Sequence, residues 1–472
     1  MNSSNTISAL TRVAVILLAL FAPLVLKAQE TLAPSAQARL TLAKAIALAD
    51  AHYPQIRVAL EGQIAAKEEI SVARTAYLPR ADMLWQTNRA TANNIYGLLL
   101  PQGVVPPISG PVIPADNSRS AWSSAGGALL SWQPFDFGLR HAQVSVAREG
   151  AAAAGAGVNL THLDVQLAAA NAYLDLAVAH RLVLTAQANV ERLQAFARSV
   201  HVLVDNQLRA GADAAQADAQ LALARTQAVQ AQTNAQVRAA VLSEFLGVAP
   251  AAIELDDTQL ADSAPSSLPD ASAIATHPEA VQAAALVNQQ KAELSALARS
   301  YAPQFTTEGA ISGRGAGTAL NGVFPGGSNG LSPDTMNWAV GVQVTFPAFE
   351  VFSLHERKKA QQSHVRAEQA RYDQTIDDLS AQEQEAEAQL TGARQIAENT
   401  PIELSAARES EAQQRARFQS GLATVVDVAA AESLLVQAET DDAVARLNTW
   451  RSLAALAAAR GDMTPFLAQL PK

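Results

Sequence analysis

The 472-residue chain contains no cysteine. A protein exported with this sequence holds together without disulfides, and it lacks the thiol that a lipoprotein carries just after its signal, which excludes a lipid anchor. Aromatic residues are also scarce, at 5% against 49% hydrophobic residues overall. The apolar content is therefore mostly alanine, leucine and valine, which favours helices packed closely through small side chains over a thick globular core. Positive charge is sparse too. A formal charge of -10 and a pI near 5.4, with no block of lysine and arginine large enough to neutralise a phosphate backbone, exclude nucleic acid as a partner. Beyond the N-terminus no stretch approaches about 18 consecutive apolar residues, so any membrane crossing has to be made by strands.

At the N-terminus Arg12 precedes the apolar run VAVILLALFAPLVL, which ends in LKAQE. This order of charged, hydrophobic and small residues predicts a secretory signal over residues 1–28, cleaved after Ala28. As a membrane anchor the run is short of the roughly 20 residues a bilayer needs, and Pro23 breaks it. Its removal takes away Arg12 and Lys27 and no acid, leaving a mature charge of -12.

The mature chain repeats its landmarks. Tyr77-Leu78-Pro79-Arg80 is echoed by Tyr301-Ala302-Pro303-Gln304, and His52-Tyr53-Pro54-Gln55 by Thr276-His277-Pro278-Glu279, both at an offset of 224. Trp132-Gln133-Pro134-Phe135-Asp136 aligns with Phe346-Pro347-Ala348-Phe349-Glu350 at 214, and Gly211 aligns with Gly421 at 210. The ten-residue excess of the first half falls in the segment around GVVPPISGPVIP, which predicts an exposed loop tip. We therefore expect a two-fold internal repeat: residues 29–250, with a β-hairpin at about 81–132 and a helical tip at 211, and residues 251–472, with a β-hairpin at about 304–346 and a tip at 421.

Within each half a very long helix is expected. Leu139 to Arg209 spans about 105 Å if helical. Leu160, Leu163, Leu167, Ala170, Leu174 and Ala177 keep 3-4 spacing; Leu193, Phe196, Val200 and Leu203 resume it in a shifted register. Ala217, Leu221, Ala224, Ala228, Ala231 and Ala235 continue it beyond the glycine. Gly150, Gly155 and Gly157 mark either close packing or a local kink. The strands are read from alternation, most clearly Met336, Trp338, Val340, Val342, Val344 and Phe346 against small or polar neighbours. Phe305 and Ile311 fit a partner strand. In the first half Trp122, Ala128, Leu130 and Trp132 share one parity, and Met83 and Trp85 begin another strand. The span suits a membrane strand of about 9 to 11 residues, with Trp132, Trp338 and Phe346 as interfacial anchors. Four strands cannot close a barrel and lipid does not tolerate an open edge, so an oligomer is expected.

The doubled plan, its Tyr-x-Pro strand entries, its Trp/Phe-Pro strand exits and the turn RFQSGLATVVDV from Arg417 to Val428 resemble the TolC family of outer-membrane efflux channels over residues 40–465. The resemblance implies a mainly α fold with a β-barrel portion. A long antiparallel α-helical coiled-coil barrel would stand on four membrane strands per chain, shared in one barrel by a homotrimer. It implies location in outer-membrane lipid with a large periplasmic helical portion, and a passive conduit fed by an inner-membrane pump through a periplasmic adaptor. Docking would fall on the hairpin tips at Arg209, Gly211, Gly421, Leu422, Ala423 and Thr424. Gly211 and Gly421 would each take the left-handed conformation that ends a helix. Thr424 with Asp427, and Asp213 with Gln216, have the spacing of a capping box. By the family pattern Asp427 also lines the closed entrance, where three copies would repel one another and hold protons more tightly; both readings of this residue stand. Phe418 occupies a gate position where the family often has tyrosine, so a latching hydroxyl is absent, and Ala217 replaces a common aspartate, with Asp218 adjacent. The alternative function is a periplasmic coiled-coil scaffold or adaptor without a barrel, which would lack two lipid-length strand pairs.

Enzyme chemistry, metal and cofactor are not expected. Gly326-Gly327-Ser328-Asn329-Gly330 matches the nucleophile-elbow pattern by letter but sits in a loop between strands, not on a strand-to-helix turn. The eight histidines are scattered, without metal-ligand spacing.

Overall fold

A computed structural model describes residues 39–91, 120–256, 260, 265, 273–317, 327–346 and 348–470. The signal segment, the GVVPPISGPVIP loop and Gly326 lie outside the described residues. The chain begins with α1 (Leu42–His52) and α2 (Pro54–Thr75). They are separate helices because Pro54 pushes Tyr53 into an extended conformation (φ -64°, ψ 128°) and then starts α2 at the position where a missing N–H costs nothing. There follow β1 (Arg80–Thr91), β2 (Ser120–Phe135), α3 (Leu139–Asp205) and α4 (Gly211–Leu246). Next come α5 (Pro278–Arg299), β3 (Gln304–Ala316), β4 (Thr335–Thr345), α6 (Glu350–Gln419), α7 (Val425–Ala459) and the short α8 (Thr464–Leu467).

Helix α3 is the shared strut, packing on α1, α2, α4, α5 and α7. Its 67 residues run without a break, a length of about 100 Å. The expected seam positions Leu163, Ala170, Leu174, Ala177, Leu193, Phe196 and Val200 are buried, as are Ala217, Leu221 and Ala224 of α4. Beyond these, Ala228, Ala231 and Ala235 are only half-buried. A Cβ on Gly155 or Gly157 would come within 2.8 Å of the Gln63 amide of α2 or the Gln282 amide of α5. Gly155 and Gly157 thus serve close packing, whereas a Cβ on Gly150 would meet the Gln289 amide at an ordinary 3.7 Å. An 18-residue window of α3 has a mean hydropathy of 1.2, enough by composition to cross a membrane, and 44% of it is buried inside the protein.

Large side chains gather in one girdle, where Leu42, Ile46, Tyr173, Leu174, Leu242, Trp450, Leu453 and Phe466 form the main core. Two polar handles tie connecting chain to it. The Tyr173 hydroxyl lies 2.9 and 3.0 Å from the carbonyl oxygens of Leu40 and Asp256, and Trp450 Nε1 donates to the Leu260 carbonyl at 3.0 Å.

The strands form one antiparallel sheet in the order β1-β2-β3-β4. Pairs such as Met83–Ala128, Ala128–Ile311, Ile311–Trp338 and Phe305–Val344 place most of the large apolar residues of the four strands on one face, while Leu84 and Leu129 lie on the other. The first face is exposed, with Met83 at 90% and Trp338 at 80%. The opposite face carries Asp82, Gln86, Glu308, Arg314, Asn337 and Gln343 among small residues. Pro134, with no N–H to donate, sits where the β2–β3 register slips between Trp132 and Phe135. Among the described residues β1 and β4 pair on one side only, so the sheet is open at both edges.

Candidate functional site

The candidate site is the pair of helical turns at the far ends of the long hairpins. In the second, α6 ends and Gly421 takes φ +77°, which only glycine adopts without strain. The Leu422 N–H then donates to the Arg417 carbonyl at 2.8 Å and the Gly421 N–H to the Phe418 carbonyl at 3.0 Å, the bonds that close a helix C-terminus. Thr424 caps α7. Its hydroxyl accepts from the Asp427 N–H at 3.2 Å, while Asp427 Oδ2 accepts from the Thr424 N–H and hydroxyl, each at 2.8 Å. The reciprocal cap expected from the spacing is present. Asp427 is exposed, and the bonds from the Thr424 N–H and hydroxyl hold its carboxyl below the usual aspartate value. Within one chain its proton affinity is therefore lowered.

The first turn is built differently. The left-handed residue is Gln207 (φ +61°), not Gly211, which is the first residue of α4. The Leu208 N–H donates to the Leu203 carbonyl at 2.9 Å, so Gln207 and Leu208 play the parts of Gly421 and Leu422 at an offset of 214, the same offset that relates Trp132 to Phe346. Matching glycine to glycine had placed this bend four residues too late. The Asp213–Gln216 capping box is absent as well: the N-cap is Ala210, which has no side-chain acceptor. Asp213 instead lies 3.8 Å from the Arg209 guanidinium.

The two turns are joined. Arg209 Nη2 reaches the carbonyls of Phe418 (3.4 Å) and Ala423 (3.2 Å), and its guanidinium stacks 4.7 Å above the Phe418 ring. Phe418 meets Phe196 edge to face at 5.0 Å and is 2% exposed. Phe418 therefore packs the joint rather than lining an opening, because an aromatic at the end of the α6 seam finds an apolar partner on α3. Ala423 is buried with it, whereas Gly211, Gly421, Leu422 and Thr424 are exposed. Trp132, Trp338 and Phe346, the aromatics expected at a membrane interface, lie apart, exposed on or beside the sheet.

Two to four turns behind the tips lies a charge cluster that the sequence did not announce. Arg192 of α3 donates to Glu432 (3.0 Å) and Glu439 (3.1 Å) of α7, and Arg415 of α6 pairs with Glu432 and, at 2.6 Å, with Glu411. Glu432 is 2% exposed. Three carboxylates face two guanidinium groups, and burial together with the neighbouring Glu432 charge pushes the Glu411 carboxyl above its ordinary value. Partners 240 residues apart leave no local pattern; the one hint is a glutamate at a seam position between Ala431 and Leu435.

Residues 271–462 match the family model described as Outer membrane efflux protein. The chain carries an outer membrane efflux protein domain. This efflux-protein domain takes in β3, β4, α6, the second tip and α7. No curated protein sequence matches the chain. Among solved structures, the Campylobacter jejuni CmeC outer membrane channel is 16% identical, with a TM-score of 0.72, covering 89% of this chain and 85% of that one. The outer membrane protein VceC of Vibrio cholerae is 18% identical, with a TM-score of 0.69 and coverage of 89% and 96%. CusC is 14% identical, with a TM-score of 0.73 and coverage of 92% and 96%. At these identities the likeness shows a shared fold.

Proposed function

We propose that the protein is the outer-membrane channel of a tripartite efflux or secretion system, a passive conduit across the periplasm. The observation that carries this reading is the four-stranded sheet, largely apolar and exposed over most of one face and, among the described residues, unpaired at both edges, above helices too long for a compact domain. Lipid covers such a face at no cost, and lipid forbids such edges. Three copies joining β4 of one chain to β1 of the next give twelve strands and a closed barrel. The match of residues 271–462 and the fold shared with CmeC, VceC and CusC support the same reading.

In this assembly the α-helices form the periplasmic tunnel, from two structural repeats at 29–250 and 251–472 that follow a cleaved signal at 1–28. Arg209, Gly211, Gly421, Leu422, Ala423 and Thr424 occupy the tips that a periplasmic adaptor meets, and an inner-membrane pump supplies the cargo. Asp427 from three chains rings the entrance. The test is fractionation: detergent extraction of outer membranes yields a homotrimer, and a monomer recovered from the soluble periplasm would refute the channel.

A further inference from the structure

The apolar row of β4 does not end with the strand. Phe346 follows it, and Phe349 and Phe352 continue it at the start of α6, 89% and 76% exposed. At 100° per residue Phe349, Phe352, Lys359 and Arg366 share one helix face, and Leu354 on the opposite face is buried. Lys359 lies two turns beyond Phe352, about 10 Å along the axis. The only run of three basic residues in the chain, Arg357-Lys358-Lys359, falls here. It is far too short to grip a nucleic acid.

The placement of charge is uneven along α6. Residues 355–371 hold five Lys and Arg against two Asp and Glu, while residues 372–419 hold four against ten. Arg357 and Lys358 have no hydrogen bond or ion pair among the described residues. Lys359 pairs with Glu356 at 3.0 Å, but both side chains are more than half exposed, and such a pair exchanges readily for another anion. Aromatic rings at an acyl boundary with cations about one headgroup-depth further out are the arrangement that suits a membrane surface.

We propose that the first turns of α6 dock the phosphate headgroups of anionic lipids in the leaflet that borders the helical portion, with Phe349 and Phe352 against the acyl chains and Lys359 on the phosphates, while Arg357 and Lys358 on the neighbouring faces add to the positive field. The inference rests on reading the sheet as membrane-embedded. Continuity with the sheet's apolar face and complementarity of charge both select a lipid over a free anion, since a free phosphate has no use for the two rings.

The test uses full-length protein extracted in detergent and reconstituted in phosphatidylethanolamine bilayers with or without phosphatidylglycerol, with retained lipids counted on the released assembly by native mass spectrometry. The wild type should retain phosphatidylglycerol preferentially. The triple variant Arg357→Gln, Lys358→Gln, Lys359→Gln should lose that preference about tenfold or more, since each cation near an anionic surface contributes about a factor of five. Phe349→Ser with Phe352→Ser should reduce retention of both lipids with the charges intact. Inorganic phosphate should not displace the bound lipid; if it does, the site takes a simple anion and the lipid assignment is wrong. Equal retention of the two lipids by the wild type, or an unaltered preference in the triple variant, also overturns the proposal. So does a triple variant that falls apart into monomers, since the stripe would then hold a second copy of the chain. Protein that enters no bilayer at all marks the different failure, that of the membrane reading of the sheet.

Discussion

At Gln207 a side chain with a Cβ occupies the left-handed region, where Gly421 sits without strain in the second turn. An L-residue there costs about 1–2 kcal/mol, of which glycine's greater freedom in the unfolded chain returns roughly 0.5–1 kcal/mol. Gln207→Gly should therefore stabilise the first turn by about 0.5–1 kcal/mol, read as slower hydrogen exchange of the Leu208 amide. Gly421→Val should destabilise the second by about 1–2 kcal/mol, speed exchange at Leu422 and lower export while the assembly still forms. Unchanged exchange in both variants would rule out the strain. Asp427 poses the sharper question. Its folded carboxyl is held low by Thr424, so its contribution to the turn is complete above the ordinary aspartate value of 3.8 and is lost as pH falls through the lowered one. Asp427→Asn keeps the shape and deletes the charge. Weaker cation selectivity and weaker block by trivalent cations in planar bilayers would mark a gate residue; fraying of the first turn of α7 with unaltered ion preference would leave only a cap.

Among the elements, the Arg192–Glu432–Arg415 cluster fastens one hairpin to the other. Arg192→Ala leaves Glu432 buried with a single cation and should cost roughly 3 kcal/mol, the low end for breaking a buried pair because Arg415 remains. Glu411 works the other way. Its proton affinity is raised by the fold, so its contribution is present below the ordinary glutamate value of 4.5 and is lost as pH rises through the raised one. Glu411→Gln removes the excess negative charge, and its urea midpoint should exceed that of the wild type at neutral pH and change less with pH. An unshifted midpoint would show that the carboxylate is already neutralised. The elements themselves were legible from their periods: 3-4 spacing marked the seam from Leu163 to Val200, and alternation from Met336 to Phe346 marked β4. The joints were not. Gly211 signalled a bend only by its residue type, and Gln207, which takes the positive φ, is a residue type that gives no such signal. The Arg192 cluster and the Arg209 bonds join positions more than 200 residues apart, each in an ordinary-looking helix or turn.

For the whole molecule, the two faces of the sheet carry the proposed function. Val340 lies mid-strand on the apolar face and Asn337 on the other. An arginine facing lipid near the bilayer midplane costs roughly 2–4 kcal/mol, so Val340→Arg should sharply reduce the protein recovered from outer membranes, while Asn337→Arg should be tolerated. Equal recovery of the two variants would overturn the assignment of faces. At the opposite end of the molecule, Arg209 holds the second turn by the carbonyl oxygens of Phe418 and Ala423. Every amino acid offers a carbonyl there, so the acceptors survive any substitution that preserves the course of the backbone. The burden of inheritance is thus lopsided: the gripping half must keep its arginine, while the gripped half, so long as it keeps Phe418 and Gly421, can change its exposed residues over generations, refitting its outer surface to new partners without letting go.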